Sequence, residues 1–103
     1  MRIAVHGVGA IGGSIGGFLA QSGEDVLLVD EYAEHVAAMQ RGGLILDGIV
    51  GDHTVPVTAI TVAEMDQVKG VFDVVVIGVK SYDTVKAVRR MLPFMTARVS
   101  MLI

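Results

Sequence analysis

The 103-residue chain contains no cysteine. Disulfides, thiolate nucleophiles and cysteine metal centres are thereby excluded, and the absence fits a cytoplasmic protein. Aromatic residues are scarce, at 5%, while hydrophobic residues reach 52%. Val, Ile, Ala and Leu dominate that fraction, as strands buried on both faces and their covering helices require. Positive charge is not in excess: 8 Lys and Arg against 11 Asp and Glu leave a net charge of −3. A nucleic-acid partner is not expected, because phosphate binding wants a basic face. No apolar run approaches the ~20 residues of a membrane helix, and the longest, Val74 to Val79, has strand length. Met1-Arg2 leads directly into an apolar run and a glycine turn, without the long apolar region and cleavage site of a secretory leader. No internal repeat, low-complexity segment or metal-ligand spacing stands out. The length allows one domain with a single core.

Against these absences stands a glycine-rich run. The apolar Ile3-Ala4-Val5 is followed by Gly7-Val8-Gly9-Ala10-Ile11-Gly12-Gly13 and then by a helix-like pattern of small residues. Gly7, Gly9 and Gly12 have the spacing of the dinucleotide fingerprint G-x-G-x-x-G. In that motif the first glycine turns the chain off the strand. The second removes a side chain where backbone approaches a pyrophosphate, and the third lets the helix pack closely on the strand. The helix start then offers unpaired N–H groups and a partial positive charge to phosphate. Gly7, Val8, Gly9, Ala10, Ile11 and Gly12 are therefore the candidate phosphate-binding residues.

Asp30 follows Val26-Leu27-Leu28-Val29 and lies 18 residues after Gly12. The fingerprint calls for an acid about 20 residues on, at the end of the second strand, bonding the adenosine ribose hydroxyls. The alternative is a loop carboxylate capping the next helix. Glu31 places a second carboxylate where an NADP site usually carries an arginine for the 2′-phosphate. The next basic residue is Arg41. NAD is accordingly favoured over NADP, with Lys80 able to supply one positive charge.

The rest of the chain reads as an α/β domain. Strands are expected over 2–6, 25–30, 44–46, 54–60, 74–79 and 98–103, with Ile49-Val50 also extended, and helices over 10–22, 33–41, 61–68 and 81–92. Each glycine inside the first helix costs about 1 kcal/mol relative to alanine, so close packing or ligand approach must compensate. Ile11, Ile15, Phe18 and Leu19 are its expected apolar bulk, and Gly23 ends it. Asp47-Gly48 signals a hairpin, and Pro56 an edge strand or bulge. A small antiparallel excursion is therefore expected beside a mostly parallel sheet with helices on both faces. Thr61-Val62-Ala63-Glu64 has the form of a capping box. Val85, Val88 and Leu92 are the expected core face of the last helix. Lys86, Arg89 and Arg90 are read as its solvated basic end, and Pro93 stops it. His6 is read as a packing residue at a strand end, and His53 as a loop residue without function. Val99-Ser100-Met101-Leu102-Ile103 reads as a buried strand with no polar exit, so the chain is expected to continue.

Several stretches carry a more specific likeness. Met1 to Val29, Gly43-Leu44, the hairpin region Asp47 to Pro56, and Val76-Ile77-Gly78-Val79-Lys80-Ser81-Tyr82-Asp83-Thr84 together resemble the ketopantoate reductases, or 2-dehydropantoate 2-reductases. The fingerprint alone is shared by many dehydrogenases; the segment around Lys80 is more particular to this family. The resemblance implies a Rossmann-type N-terminal dinucleotide-binding domain over 1–103. It implies reduction of 2-dehydropantoate to (R)-pantoate, a step towards pantothenate and coenzyme A. Hydride passes from the nicotinamide to the keto carbon and an ammonium group supplies the proton. Lys80 matches the family's lysine that lies over the bound cofactor; its bland alternative is a strand-end lysine reaching water. Many NADPH-using members carry an arginine where Glu31 stands here.

The resemblance further implies that an asparagine after the last strand lies beyond Ile103, as does a helical second domain with the catalytic lysine and the substrate-binding residues. Residues 1–103 are then a truncated cofactor domain with no catalytic residue of their own. The full-length protein is expected to be a cytoplasmic homodimer acting on a small 2-oxo acid. Two alternatives stand beside this reading. One is a dehydrogenase of similar layout acting on a different 2-oxo or hydroxy acid. The other is a non-catalytic NAD-sensing regulatory module, which would share the fingerprint and the acid.

Overall fold

The computed structural model describes residues 2–8, 10–46, 53–78 and 84–102. The chain runs β1 (Arg2–His6), α1 (Ala10–Gln21), β2 (Asp25–Asp30), α2 (Ala33–Gly42), β3 (Leu44–Leu46), β4 (His53–Val55) and β5 (Thr58–Thr61). A 3₁₀ segment (Val62–Gln67), β6 (Phe72–Ile77), α3 (Thr84–Met91), a second 3₁₀ segment (Leu92–Phe94) and β7 (Met95–Leu102) follow. Five strands form one sheet in the order β5-β2-β1-β6-β7, and every pairing is parallel. β3 and β4 form a separate antiparallel pair. After β1 the chain adds strands on one side, then crosses to the other with β6. The reversal lies between β1 and β6, where open parallel sheets bind ligands beyond the carboxyl ends of their strands.

Both faces of the sheet are covered, which is why its strands are apolar at successive positions. Ile3 and Val5 of β1 join Val26 and Leu28 in a core closed by Val36 and Met39 of α2, Leu44 and Val55 of the small sheet, and Ile15 and Leu19 of α1. Ala4 turns the other way, with Val29, Phe72, Val75 and Ile77, against Met65, Ala87 and Met91. Gly16 sets how closely α1 seats. A Cβ there would lie 2.6 Å from Leu28 Cδ2 and 3.5 Å from Val5 Cγ2. Leu28 is itself fully buried, so it has nowhere to move. Gly23 has φ +87 and closes α1, with N–H groups of Gly23 and Glu24 donating to the carbonyls of Ala20 and Leu19. That is the paired bonding of a helix ending on a left-handed glycine.

Several expectations shift by a few residues or divide. The stretch 54–60 is two strands rather than one: Val55 pairs with Leu44 in the small sheet, and Thr58 pairs with Leu27 in the large one. Pro56 falls between them, since it has no N–H for either ladder. β6 starts at Phe72 instead of Val74, because the fully buried Phe72 anchors the strand from its first position. It ends at Ile77, and Val79 lies outside the described residues. β7 starts at Met95 instead of Arg98. Asp47-Gly48 and Ile49-Val50 also lie outside the described residues, as do Ser81 and Asp83.

Thr61 does head a short helix, of 3₁₀ form. Its backbone N–H and its Oγ1 donate to Glu64 Oε1 at 3.0 and 2.9 Å, which holds the Glu64 carboxyl below its usual range. The expected face of α3 is inward only in part: Val88 packs, partly buried, against the core. Ala87 and Met91 are buried, whereas Val85 is 63% and Leu92 57% exposed. Its apolar residues occupy more than one stripe, and periodicity does not say which stripe the sheet takes. Phe18, expected in the bulk of α1, is 70% exposed, because the side of α1 seated on the sheet carries Gly16 instead.

The start of β1 is stapled to the entrance of β6. Arg2 N–H donates to Asp73 Oδ2 at 2.7 Å, and its Nη1 donates to the carbonyls of Lys69 and Val71 at 2.7 and 3.3 Å. The guanidinium lies 4.4 Å from the centre of the Phe72 ring, in cation–π range.

The α1 seat can be tested directly. Gly16→Val is expected to destabilise the chain by about 1–3 kcal/mol through overpacking against Leu28, read from the urea unfolding midpoint. An unchanged midpoint would show that α1 does not rest on Leu28 in this way.

Candidate functional site

The carboxyl ends of β1, β2 and β6 meet at one edge of the sheet. Gly7 leaves β1 with φ +94 and donates its N–H to Val29 O at 2.8 Å. That positive φ is open to glycine and strained for other residues. The next residue, Val8, is held at both of its backbone polar atoms. Its N–H donates to Asp30 Oδ2 at 2.8 Å. Its carbonyl lies 2.9 Å from His35 Nε2 on α2, so that nitrogen is the protonated one. On the other flank of β1, Gly78 N–H donates to His6 O at 2.8 Å.

Asp30 is the centre of this arrangement. It is 6% exposed, and a buried carboxylate needs hydrogen-bond donors. Oδ2 takes the Val8 N–H, and Oδ1 takes the N–H of Tyr32 at 2.9 Å. Tyr32 immediately precedes α2 and makes no side-chain cap. Asp30 therefore ties the glycine turn to the end of β2 and also shapes the entry to α2, so the two roles weighed for it from sequence are not exclusive. Each oxygen keeps a second lone pair.

Of the residues singled out from sequence, Gly7, Val8, Ala10, Ile11, Gly12, Asp30 and Glu31 gather at this edge. Ala10, Ile11 and Gly12 open α1, where the first N–H groups of a helix have no partner within it. Gly9 and Lys80 lie outside the described residues. His35 was not singled out; it stands on α2 with no local pattern, and only the packing of α2 brings it to Val8. Among the described residues no group of His, Asp and Glu could hold a metal ion. No helix among them is long and apolar enough to cross a membrane.

Arg90 corrects an expectation. Instead of belonging to a solvated helix end, its Nη1 donates to His6 Nε2 at 2.9 Å and to Glu31 Oε1 at 3.4 Å. An arginine thus stands beside Glu31, although the nearest basic residue along the chain is Arg41. His6 is 1% exposed, as its reading as a packing residue requires, and it also serves as a hydrogen-bond acceptor. Since guanidinium can only donate, the imidazole is neutral with its proton on Nδ1. That nitrogen is buried and has no partner among the described residues.

Comparison with known proteins agrees with this architecture. The family described as "Ketopantoate reductase PanE/ApbA" matches residues 3–103. A 2-dehydropantoate 2-reductase of Pyrococcus abyssi is 40% identical over 89 residues, covering 86% of this chain and 28% of that protein. Among solved structures, a PanE/ApbA family ketopantoate reductase from Ralstonia eutropha JMP134 superposes with a TM-score of 0.85 at 35% identity, covering 100% of this chain and 33% of that one. A D-mandelate dehydrogenase in ternary complex with NADH and anilino(oxo)acetate gives 0.86 at 27% identity, covering 98% of this chain and 32% of that one. The chain spans less than a third of the length of the curated relatives it matches.

The buried imidazole gives this edge a titration of its own. Burial, and then the Arg90 charge, push the His6 pKa below its ordinary 6.5, while Glu31 and Asp30 act the other way. Just below 6.5 the unfolded chain therefore binds more protons than the folded one, and stability falls as pH drops through that window. Urea midpoints are expected to decline there. His6→Gln keeps an acceptor for Arg90 without a titrating group and is expected to flatten that part of the curve. Equal slopes for both chains would place the titration elsewhere.

Proposed function

This chain belongs to the ketopantoate reductase family, and on that footing we propose that residues 1–103 are the dinucleotide-binding part of an NAD(P)H-dependent reductase. Its substrate in this reading is 2-dehydropantoate, reduced to (R)-pantoate, or a similar small 2-oxo acid. The observation that carries the proposal is the glycine turn between β1 and α1, anchored through Val8 N–H to Asp30 at the end of β2. A turn of this kind presents backbone N–H groups to a pyrophosphate without a competing side chain. Gly7, Val8, Gly9, Ala10, Ile11 and Gly12 take that role.

Asp30 accepts from the adenosine ribose hydroxyls through the lone pairs that the backbone leaves free. Glu31 stands next to it at the ribose edge, and Lys80 lies over the cofactor. Two carboxylates disfavour a 2′-phosphate, which supports NAD(H) over NADP(H). The bound nicotinamide supplies the hydride. Residues 1–103 bind and orient it. The proton donor and the substrate contacts belong to a helical domain outside these residues, and no catalytic residue is assigned within them. A cytoplasmic homodimer is the assembly that accords with this reading. Family membership favours the reductase over an NAD-sensing module.

In the full chain, Gly9→Val is expected to abolish binding of NADH in calorimetry, because its side chain would occupy pyrophosphate space. Unaltered affinity would refute the turn's role. Glu31→Arg is expected to move the NADH/NADPH preference about tenfold towards NADPH, the scale of one charge-assisted contact. A ratio that does not move would take Glu31 away from the ribose. Residues 1–103 alone are expected to give no turnover of 2-dehydropantoate, and turnover would overturn the placement of catalysis beyond them.

A further inference from the structure

The ribose edge holds three charged groups, where the local sequence shows two. Glu31 is half exposed, and its carboxylate lies 3.4 Å from Arg90 Nη1. Arg90 comes from α3, 59 residues further along, and is mostly buried. Its inner anchor is His6 Nε2 at 2.9 Å, a neutral acceptor, so the counter-charge in contact with it is that of Glu31. Both contacts run through Nη1, whereas a guanidinium carries five N–H donors in a planar fork suited to phosphate. The Glu31 contact is at the exposed side of the arrangement, so a ligand that reaches Glu31 also reaches Arg90.

We propose that Arg90 sets the cofactor preference of this site. It neutralises Glu31 when the adenosine ribose carries a free 2′-hydroxyl, and it is the cation that a 2′-phosphate takes over from Glu31. This inference rests on the reading of Asp30 and Glu31 as the ribose edge. It changes the electrostatic consequence of that reading: Asp30 and Glu31 alone would repel a 2′-phosphate with two charges, and Arg90 offsets one of them. Preference for NADH is then modest, and its size belongs to the Glu31–Arg90 pair. The pair opens to solvent on the Glu31 side, where water and salt weaken an ion pair, so its exchange for a phosphate contact costs little.

The test is titration of the full chain with NADH and with NADPH, for the parent, Arg90→Gln, Arg90→Lys, Glu31→Gln and the Glu31→Gln/Arg90→Gln double variant. Arg90→Gln is expected to weaken NADPH about tenfold and NADH less than about threefold. Arg90→Lys, which keeps the charge, is expected to retain most of the NADPH affinity. Glu31→Gln is expected to strengthen NADPH about tenfold, and the added Arg90→Gln to cancel that gain. The ratio of the two affinities is insensitive to partial unfolding, which lowers both alike. If Arg90→Gln leaves the ratio unchanged while Glu31→Gln moves it, the role of Arg90 is overturned and the ribose edge stands. If neither substitution moves it, both are overturned.

Discussion

The Val8 N–H to Asp30 hydrogen bond is the contact on which the carboxyl edge of the sheet, the candidate binding site, depends. A buried carboxylate is costly unless donors surround it. Here one oxygen takes the backbone of the glycine turn and the other takes the backbone at the start of α2. The same group thereby fixes the end of β2, the path out of β1 and the entry to α2. His35 closes the arrangement from the helix side by donating to the Val8 carbonyl. Val8 is thereby held at both of its backbone polar atoms.

The sheet beneath supplies the rigidity that such a turn needs. β1 is paired on both sides, to β2 and to β6, and its side chains alternate between two separate cores. Gly16 lets α1 approach Leu28 more closely than any side chain would allow. A glycine that lowers intrinsic helix stability is thus recovered in packing, which is the usual source of helix stability in a folded domain. Arg2, stacked on Phe72 and bonded to the 69–71 backbone, does the corresponding work at the opposite end of the sheet.

Charge at this edge is a property of the fold more than of any segment. Asp30 and Glu31 are adjacent and look like an unrelieved pair of carboxylates. Arg90 arrives from α3 and is steadied by a histidine whose burial keeps it neutral. Because that imidazole must accept from Arg90, its proton state and the arginine's position are linked. The backbone frame of this edge rests on Val8 and Asp30; the finer electrostatics rest on contacts between elements distant in sequence.

Local chemistry alone determined much of the domain. β1, β2 and β3 have the bounds read from the sequence, because glycine and acidic residues punctuate short apolar runs. Gly23 and the Thr61–Glu64 pair mark helix ends through bonds that span only a few residues. The glycine spacing and Asp30 were equally legible, since each element's type and order follow from its neighbours. Tertiary structure decided the rest. It divided 54–60 between two sheets at Pro56, and it chose Ala87 and Met91 over Val85 and Leu92 as the inner stripe of α3. It also brought His35 to Val8, and Arg90 to His6 and Glu31. These choices turn on which surfaces meet across the sheet, with partners 27 to 84 residues apart. No local pattern encodes that pairing, because the energy that selects it is gained only when distant elements pack.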